Sequence, residues 1–328
     1  MLVVIPALNE ARTVERVIRR IPQSIDGVAE IRTTVIDDGS TDATAQTALR
    51  CGAKVFRHEQ PRGIGRVFRR ALERVVEEGA DVLVYLDGDG QFNSRDIRPL
   101  VRPILDGQAD CVIGRRFGPG CAPQRMDLGR RLGNRGMAWL MSLLTRQHFY
   151  DAACGFRAYS AETAMRLNLT GRFTYTQEAL LDMCFKDLRV AQAPVRVRGT
   201  RQYGRSRVAH SLFQYGWRTI MIIGRAMRDY RPLRFFGTLG ATMMLPGLAL
   251  GAFLLWHRAT SGQFTPHIWA GCVGAFLTAG GAMTLLAGLL ADMLDRVRLN
   301  QEETLYNARA VRHAAQQRKI PGDTERPA

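Results

Sequence analysis

The sequence predicts an α/β fold: a mostly parallel sheet with helices on both faces, followed by an interfacial helix and two C-terminal membrane spans. Three observations carry this expectation. Short β-branched and apolar runs alternate with helix-length segments through the N-terminal part of the chain, as in a parallel sheet built from crossover units. Polar, carboxylate-rich motifs directly follow three of those runs, at the strand ends where open α/β sheets bind ligands. Two uncharged stretches, Phe235–Trp256 and Ile268–Ala291, hold 22 and 24 residues, and about 20 helical residues cross a bilayer core.

Taken in order, Val3–Ala7 reads as a strand and Glu10–Ile21 as a helix. The apolar run begins at Leu2, so no leader is expected ahead of it. Thr34–Asp37 is a second strand, and Ser40, Thr41 and Asp42 offer N-cap oxygens for a helix through Arg50. Lys54–Arg57 is a short strand and 64–78 a helix. Val82–Asp87 is a strand, apolar on successive residues through Leu86, as strands buried on both faces are. Ile97–Leu105 is a helix, Cys111–Gly114 a strand and 128–146 a helix. Segment 208–234 mixes Leu212, Phe213, Trp217, Ile220 and Ile223 with Arg218, Arg225 and Arg228, the composition of a helix lying in a membrane interface. The expected organisation is a catalytic domain over 1–207, the interfacial helix 208–234, spans at 235–256 and 268–291, and a tail at 292–328.

The net charge of +16 is concentrated. Residues 115–135 carry six arginines against Asp127, and residues 195–234 carry ten against Asp229. Such patches suit nucleic acid, an anionic membrane surface or a phosphorylated lipid. The adjoining spans decide for the membrane. Trp256 and Trp269 sit near the span ends, as interfacial anchors do. The loop 257–267 has one arginine, whereas Arg225, Arg228, Arg231 and Arg234 precede the first span and Arg296 and Arg298 follow the second. The positive-inside rule therefore puts the N-terminal domain and the tail in the cytoplasm of a multi-pass protein of the cell membrane. The six cysteines form no Cys-x-x-Cys pair, which points to incidental thiols in a reducing compartment.

The chemistry is concentrated in Asp87-Gly88-Asp89-Gly90-Gln91, after the buried strand. Two carboxylates one residue apart can share a hard divalent cation that takes its other ligands from water and phosphate oxygens. The glycines let a diphosphate approach the backbone. Pro6-Ala7-Leu8-Asn9-Glu10 and Asp37-Asp38-Gly39-Ser40-Thr41-Asp42 end two other strands, so the three motifs converge. A carboxylate at Asp37 accepts hydrogen bonds from a base N–H or from ribose hydroxyls. The competing role for this motif is a turn and helix cap, and Asp42 fits that role alone.

The ordered set Pro6-x-x-Asn9-Glu10, Asp37-Asp38-Gly39-Ser40, Asp87-x-Asp89-x-Gln91, Gly114-Arg115-Arg116-Phe117 and Asp151-x-x-x-Gly155-Phe156-Arg157 resembles the inverting GT-A glycosyltransferases of family 2. Tyr203-Gly204-Arg205-Ser206-Arg207, Tyr230-Arg231-Pro232-Leu233-Arg234-Phe235 and the two spans resemble the branch that glycosylates polyprenyl phosphate, the dolichol-phosphate mannose synthase-like enzymes. The resemblance implies nucleotide contacts from Pro6, Ala7, Glu10, Asp37 and Asp87, and a Mg²⁺ or Mn²⁺ ion at Asp87, Asp89 and Gln91. It implies an acceptor-phosphate site at Arg116, Arg130 and Asn134, with Arg131, Arg205 and Arg207 as further candidates. Asn134 stands where family members often have Ser, and Arg62-Gly63-Ile64-Gly65 departs from the usual Gly-Lys loop.

The implied reaction is transfer of a hexose from a UDP or GDP sugar to a polyprenyl phosphate with inversion, for cell-envelope glycosylation. The implied partners are the sugar nucleotide, the lipid phosphate, the membrane and, optionally, further copies in a homo-oligomer; nucleic acid is not among them. Asp89 is the catalytic metal ligand, and Asp151 either orients an arginine or acts as a base. Glu178 either touches donor sugar hydroxyls or sits on a helix dipole. Arg205 and Arg207 either read phosphate or belong to a general lipid-facing patch. A processive polysaccharide synthase would carry Gln-x-x-Arg-Trp, but Gln214-Tyr215-Gly216-Trp217-Arg218 has the wrong order. The intact Asp87, Asp89 and Gln91 set speaks against an inactive membrane scaffold.

Overall fold

A computed structural model describes residues 1–121, 128–169, 175–198 and 232–319, with three isolated positions at 221, 224 and 228; the side chains of 128–130 are outside the described set. The chain divides into two units, Met1–Tyr215 with Glu303–Ala328, and Gly216–Glu302.

The first unit is a seven-stranded sheet, order β3-β2-β1-β4-β6-β5-β7. Its strands are β1 (Leu2–Ala7), β2 (Arg32–Asp37), β3 (Lys54–Arg57), β4 (Val82–Tyr85), β5 (Cys111–Arg115), β6 (Arg157–Ser160) and β7 (Val190–Pro194). Only β6 runs antiparallel to its neighbours. Every residue of β1 and β4 is buried, which is why both are apolar without alternation.

Helices cover the sheet: α1 (Val14–Arg19), α2 (Thr44–Arg50), α3 (Ile64–Glu77), α4 (Ile97–Leu105), α5 (Leu128–Thr145), α6 (Ala161–Arg166) and α7 (Tyr175–Phe185). In α3, Val67, Phe68, Ala71, Leu72 and Val75 form one buried stripe at helical spacing. Phe68 anchors it, stacking on Tyr175 at 4.6 Å and meeting Tyr85 edge-on at 5.0 Å. Burying such a ring contributes about 1.5–3 kcal/mol.

Two helices begin later than their sequence suggests. The segment expected as Glu10–Ile21 is helical only over Val14–Arg19. Asn9 takes φ +57, and Thr13 and Val14 donate to the Glu10 carbonyl in a turn before the helix. The α2 helix starts at Thr44 because Asp42 is used in the preceding turn, where it accepts from the Thr44 and Ala11 backbone N–H groups.

The second unit contains α8 (Pro232–Ser261) and most of α9 (Ile268–Lys319). Both are long and apolar enough to cross a membrane. A Cβ on Gly247 would lie 2.8 Å from the Gly274 carbonyl, and one on Gly281 2.7 Å from the Gly240 carbonyl. Glycine at these positions lets the two backbones touch, the usual packing of helices in lipid. Leu245, Leu248, Leu255, Phe276, Leu286 and Leu290 remain exposed. The residues expected as a tail from 292 continue α9 as helix through Lys319. The expected interfacial helix 208–234 lies almost wholly outside the described residues.

Candidate active site

Register brings the three motifs together. Ala7 pairs with Asp37, and Asp37 with Arg57, across β1, β2 and β3. Leu86 N–H donates to the Val4 carbonyl and Gly88 N–H to the Pro6 carbonyl, which carries the β1–β4 alignment on to Asp87. Pro6, Ala7, Asp37 and Asp87 therefore share one carboxyl edge.

Asp37 is fully buried. Its Oδ1 accepts from Ser40 N at 2.9 Å. Its Oδ2 lies 3.4 Å from Arg57 Nε and accepts no hydrogen bond among the described residues. Glu10 is buried as well, with its backbone N–H on Thr44 Oγ1 and its carboxylate accepting from Thr13. The single Thr13 hydroxyl proton is shared with the Gly88 carbonyl, 2.8 Å from Oγ1, which fastens the start of α1 to the Asp87–Gln91 loop.

Asp87 and Asp89 are half-buried. Asp89 Oδ1 accepts from Gln91 N at 3.0 Å, so the loop folds around its own carboxylate. A strand-like segment after β7 closes the other side. Arg198 N–H donates to the Gln91 carbonyl, and Arg196 forms an ion pair with buried Asp96 at 2.7 Å. A Cβ on Gly155 would lie 2.9 Å from the Tyr175 hydroxyl and 3.1 Å from Asp87 Oδ2. Only glycine leaves that space clear. Burial holds the Tyr175 hydroxyl well above its ordinary pKa, and the charge of Asp87 pushes the same way. The hydroxyl thus stays a proton donor beside Asp87. Glu178 stands one turn further along α7, half-buried and engaged with neighbours.

Among the described residues no cluster of three or more His, Cys, Asp and Glu side chains forms a metal cage. Two adjacent carboxylates at an open strand end suit Mg²⁺ or Mn²⁺ instead, since such ions draw further ligands from water and substrate phosphates.

The cationic side is built from β5 and the loop before β6. Arg116 donates through Nε to Asp151 Oδ2 at 2.7 Å and through Nη2 to Oδ1 at 2.9 Å, and its backbone N–H adds a third bond at 3.1 Å. Asp151 is fully buried. Burial alone would lower the Arg116 pKa; the charge and hydrogen bonds of Asp151 outweigh it and hold the guanidinium above its ordinary value. Arg131 is exposed on α5, and Asn134 is half-buried and partnered. The Arg130 side chain, Arg205 and Arg207 lie outside the described residues.

Three groups carry no role in the sequence reading, although Asp38 and Arg157 stand in its motifs. Asp38 accepts from Arg62 N at 2.8 Å and Gly63 N at 2.9 Å, and meets His58 Nδ1 at 2.8 Å. It ties the loop after β3 to the Asp37–Ser40 turn. Arg157 is fully buried and donates to the carbonyls of Ala152, Cys154 and Thr176. Leu132, Trp139 and Leu143 form an exposed apolar face on α5, and their spacing was the one available signal.

With this geometry in place, comparison with known proteins is decisive for the family. Residues 2–166 match the family described as Glycosyl transferase family 2. The chain belongs to glycosyl transferase family 2. It is a glycosyltransferase, and its fold is of the GT-A type. Glycosyltransferase AglJ of Haloferax volcanii is 27% identical over 296 residues, covering 88% of this chain and 91% of the relative. The undecaprenyl-phosphate mannosyltransferase of Micrococcus luteus is 28% identical over 221 residues, 64% of this chain and 87% of that one. The UDP-N-acetylglucosamine–dolichyl-phosphate N-acetylglucosaminyltransferase of Methanococcus voltae is 26% identical, covering 59% and 83%. These relatives support the polyprenyl-phosphate branch of the family. Among solved structures, glucosyl-3-phosphoglycerate synthase of Mycobacterium tuberculosis, in complex with Mn²⁺, UDP-glucose and phosphoglyceric acid, superposes with a TM-score of 0.52 at 26% identity, covering 69% of this chain and 78% of that one.

Proposed function

We propose that this family 2 enzyme transfers a hexose from a nucleotide sugar, a UDP sugar first among the candidates, to a polyprenyl phosphate with inversion at the cytoplasmic face of the cell membrane. The observation that carries the reading is the Arg116–Asp151 pair. It sets a fixed cation at the same sheet edge as the Asp87–Asp89 loop, in a chain with two membrane-length helices and an exposed Leu132, Trp139 and Leu143 face. Donor names among the relatives favour UDP.

Asp37, ion-paired with Arg57 through Oδ2 at 3.4 Å, would accept from a base N–H or a ribose hydroxyl. Asp87 and Asp89, with Gln91, would hold a divalent ion, which supplies neutralisation of charge on the leaving diphosphate. A monoalkyl phosphate has a second pKa of about 6; it is largely dianionic at neutral pH and needs positioning more than deprotonation. Asp151 therefore orients Arg116 rather than acting as a base. It engages Nε and Nη2 and leaves Nη1 of the fork to a phosphate oxygen. Arg131 and Asn134 on α5 would complete the acceptor side, with the Arg130 side chain, Arg205 and Arg207, which lie outside the described residues, as further candidates. Tyr175 and Glu178 face the donor sugar.

The test is transfer from radiolabelled UDP-glucose and related sugar nucleotides, with polyprenyl phosphate in detergent and, separately, with phosphoglyceric acid. The expected product is organic-extractable, stopped by EDTA and restored by Mg²⁺ or Mn²⁺. Asp89→Ala abolishes it, because metal stabilisation of a leaving group is worth several kcal/mol; activity within about tenfold of the unaltered enzyme would remove the metal assignment. Label only in a water-soluble product would replace the lipid acceptor by a small phosphate. Orientation is tested by reporter fusions. A reporter at residue 262 is expected outside the cytoplasm and one at residue 328 inside it; a cytoplasmic signal at 262 overturns the two-span reading.

A further inference from the structure

The chain beyond the second apolar run is expected as a cytoplasmic tail, and residues 303–319 are helical and belong to the catalytic unit. One face of this segment carries the contacts described below. Tyr306, Arg309, His313 and Gln317 are three and four residues apart and therefore share that face. Arg309 Nη1 donates to the Met165 carbonyl at 2.7 Å, to the Leu167 carbonyl at 3.2 Å and to Asn168 Oδ1 at 2.9 Å. The Arg166 guanidinium lies 4.3 Å over the Tyr306 ring. Buried His313 meets the Ala80 carbonyl through Nε2 at 3.0 Å, and Gln317 donates to Asp81 Oδ1 at 2.7 Å. Gly79, at φ +59, lets the helix close in, for a Cβ there would lie 3.2 Å from the Gln317 backbone nitrogen.

The two gripped points are both one short element away from the site. Ala80 and Asp81 lead directly into β4, which ends at the Asp87–Asp89 loop. Met165–Asn168 is the end of α6, and Lys186 at the end of α7 also donates to the Arg166 carbonyl, at 2.7 Å. The turn is thus held jointly by α9 and α7. At its other end α7 carries Tyr175, whose hydroxyl stands beside Asp87, and Glu178.

We propose that Arg309, supported by His313 and Gln317, is a positioning residue for catalysis: the C-terminal helix latches the α6 turn and the start of β4, and so fixes α7 against the metal and donor-sugar side of the site. The latch is polar. Hydrogen bonds to carbonyls fix position without adding much burial, and they are costly when one partner is removed. Arg309 acts through α7 and touches neither substrate.

This inference rests on the nucleotide-sugar chemistry proposed above, so turnover by the unaltered full-length protein is measured first; its absence would count against that reading and not against the latch. Full-length Arg309→Ala, His313→Ala and Arg309→Lys are compared with Arg312→Ala, an exposed arginine at the edge of the gripping face. The readouts are kcat, KM for each substrate, melting temperature and hydrogen–deuterium exchange over 175–185. Arg309→Ala is expected to lower kcat/KM for the sugar nucleotide at least tenfold, to leave KM for the lipid phosphate within twofold, and to speed exchange over 175–185. Arg309→Lys, which keeps a donor, recovers most of the loss, and Arg312→Ala behaves as the unaltered enzyme. Should Arg309→Ala fail to fold, His313→Ala carries the same expectation in weaker form. Exchange that changes only over 303–319, or kinetics within twofold for both alanine variants, would overturn the proposal and leave a helix that is merely docked.

Discussion

Asp151→Asn separates the two roles open to this carboxylate. The substitution keeps the shape and removes the charge. Asp151 accepts four hydrogen bonds, at 2.7 and 3.1 Å on Oδ2 and at 2.9 and 3.2 Å on Oδ1, from Arg116 Nε, Arg116 N, Arg116 Nη2 and Ala153 N. An amide offers one accepting oxygen and turns an NH₂ group towards donors. Two of the four donors then face another donor. Bonds to a charged group are worth about 1.5–3 kcal/mol each, and breaking a buried ion pair by removing one partner costs about 3–5 kcal/mol. Arg116 has a side chain 17% exposed, so it relieves part of that cost by swinging towards solvent. The swing is what the assay reads.

If Asp151 orients Arg116 for the acceptor, loss of a phosphate contact of about 1.5–3 kcal/mol raises KM for polyprenyl phosphate roughly tenfold to hundredfold. Donor KM should stay within about twofold, since 1.4 kcal/mol is a factor of ten and no donor contact is touched. The assay is initial-rate transfer into extractable lipid with each substrate varied in turn, beside a melting curve. A collapse of kcat with both KM values unchanged would make Asp151 a base. Unchanged kinetics with a lowered melting temperature would make the pair structural only. Either result refutes the orienting argument.

Two further outcomes follow from the same geometry. Asp38→Asn releases at least one of the Arg62, Gly63 and His58 contacts, so donor KM should rise about fivefold or more, from roughly 1 kcal/mol or above, with acceptor KM unmoved; the reverse pattern would detach this loop from the donor. Burial pushes the thiols of Cys111 and Cys154 from 9.0 up to about 12. A folded value raised above the unfolded one gives stability that is intact below pH 9 and is lost as pH rises from 9 to about 12, at about 1.4 kcal/mol per thiol per pH unit. Melting curves at pH 7, 9 and 11 check it, and no loss between 9 and 11 would contradict the burial argument.

The sheet was legible where burial on both faces forces apolar runs. Leu2–Ala7 and Val82–Tyr85 announce themselves, and their carboxylate-rich sequels follow at the ligand-binding edge. The strand Arg157–Ala158-Tyr159-Ser160 was not legible, because its buried arginine breaks the apolar pattern and is matched by the carbonyls of Ala152, Cys154 and Thr176 rather than by a carboxylate. Asp37 and Asp38 look alike in sequence; Asp37 closes β2 and Asp38 follows it, and only the folded chain shows that Asp38 holds the Arg62–Gly63 loop. The C-terminal latch was hidden for a related reason. Its contacts are made by Tyr306, Arg309, His313 and Gln317, and a polar stripe on a charged helix reads as a solvated face.

The antiparallel insertion of β6 is what joins the two halves of the proposed reaction. Donor groups come from the ends of parallel strands β1, β2 and β4. The acceptor side needs Asp151, which precedes β6. In a parallel strand the preceding loop would emerge at the opposite edge of the sheet, away from every donor group. Because β6 runs antiparallel between β4 and β5, with Arg157 opposite both Tyr85 and Ile113, residues 151–156 emerge at the carboxyl edge instead. There Asp151 meets Arg116 as the chain leaves β5, and Gly155 meets Asp87 as it leaves β4. Arg157 then ties the loop down through the Ala152 and Cys154 carbonyls, and ties it to the start of α7 through Thr176. A transfer between two phosphate-bearing substrates needs its carboxylates and its arginines close but separately fixed, and one reversed strand is sufficient to do that.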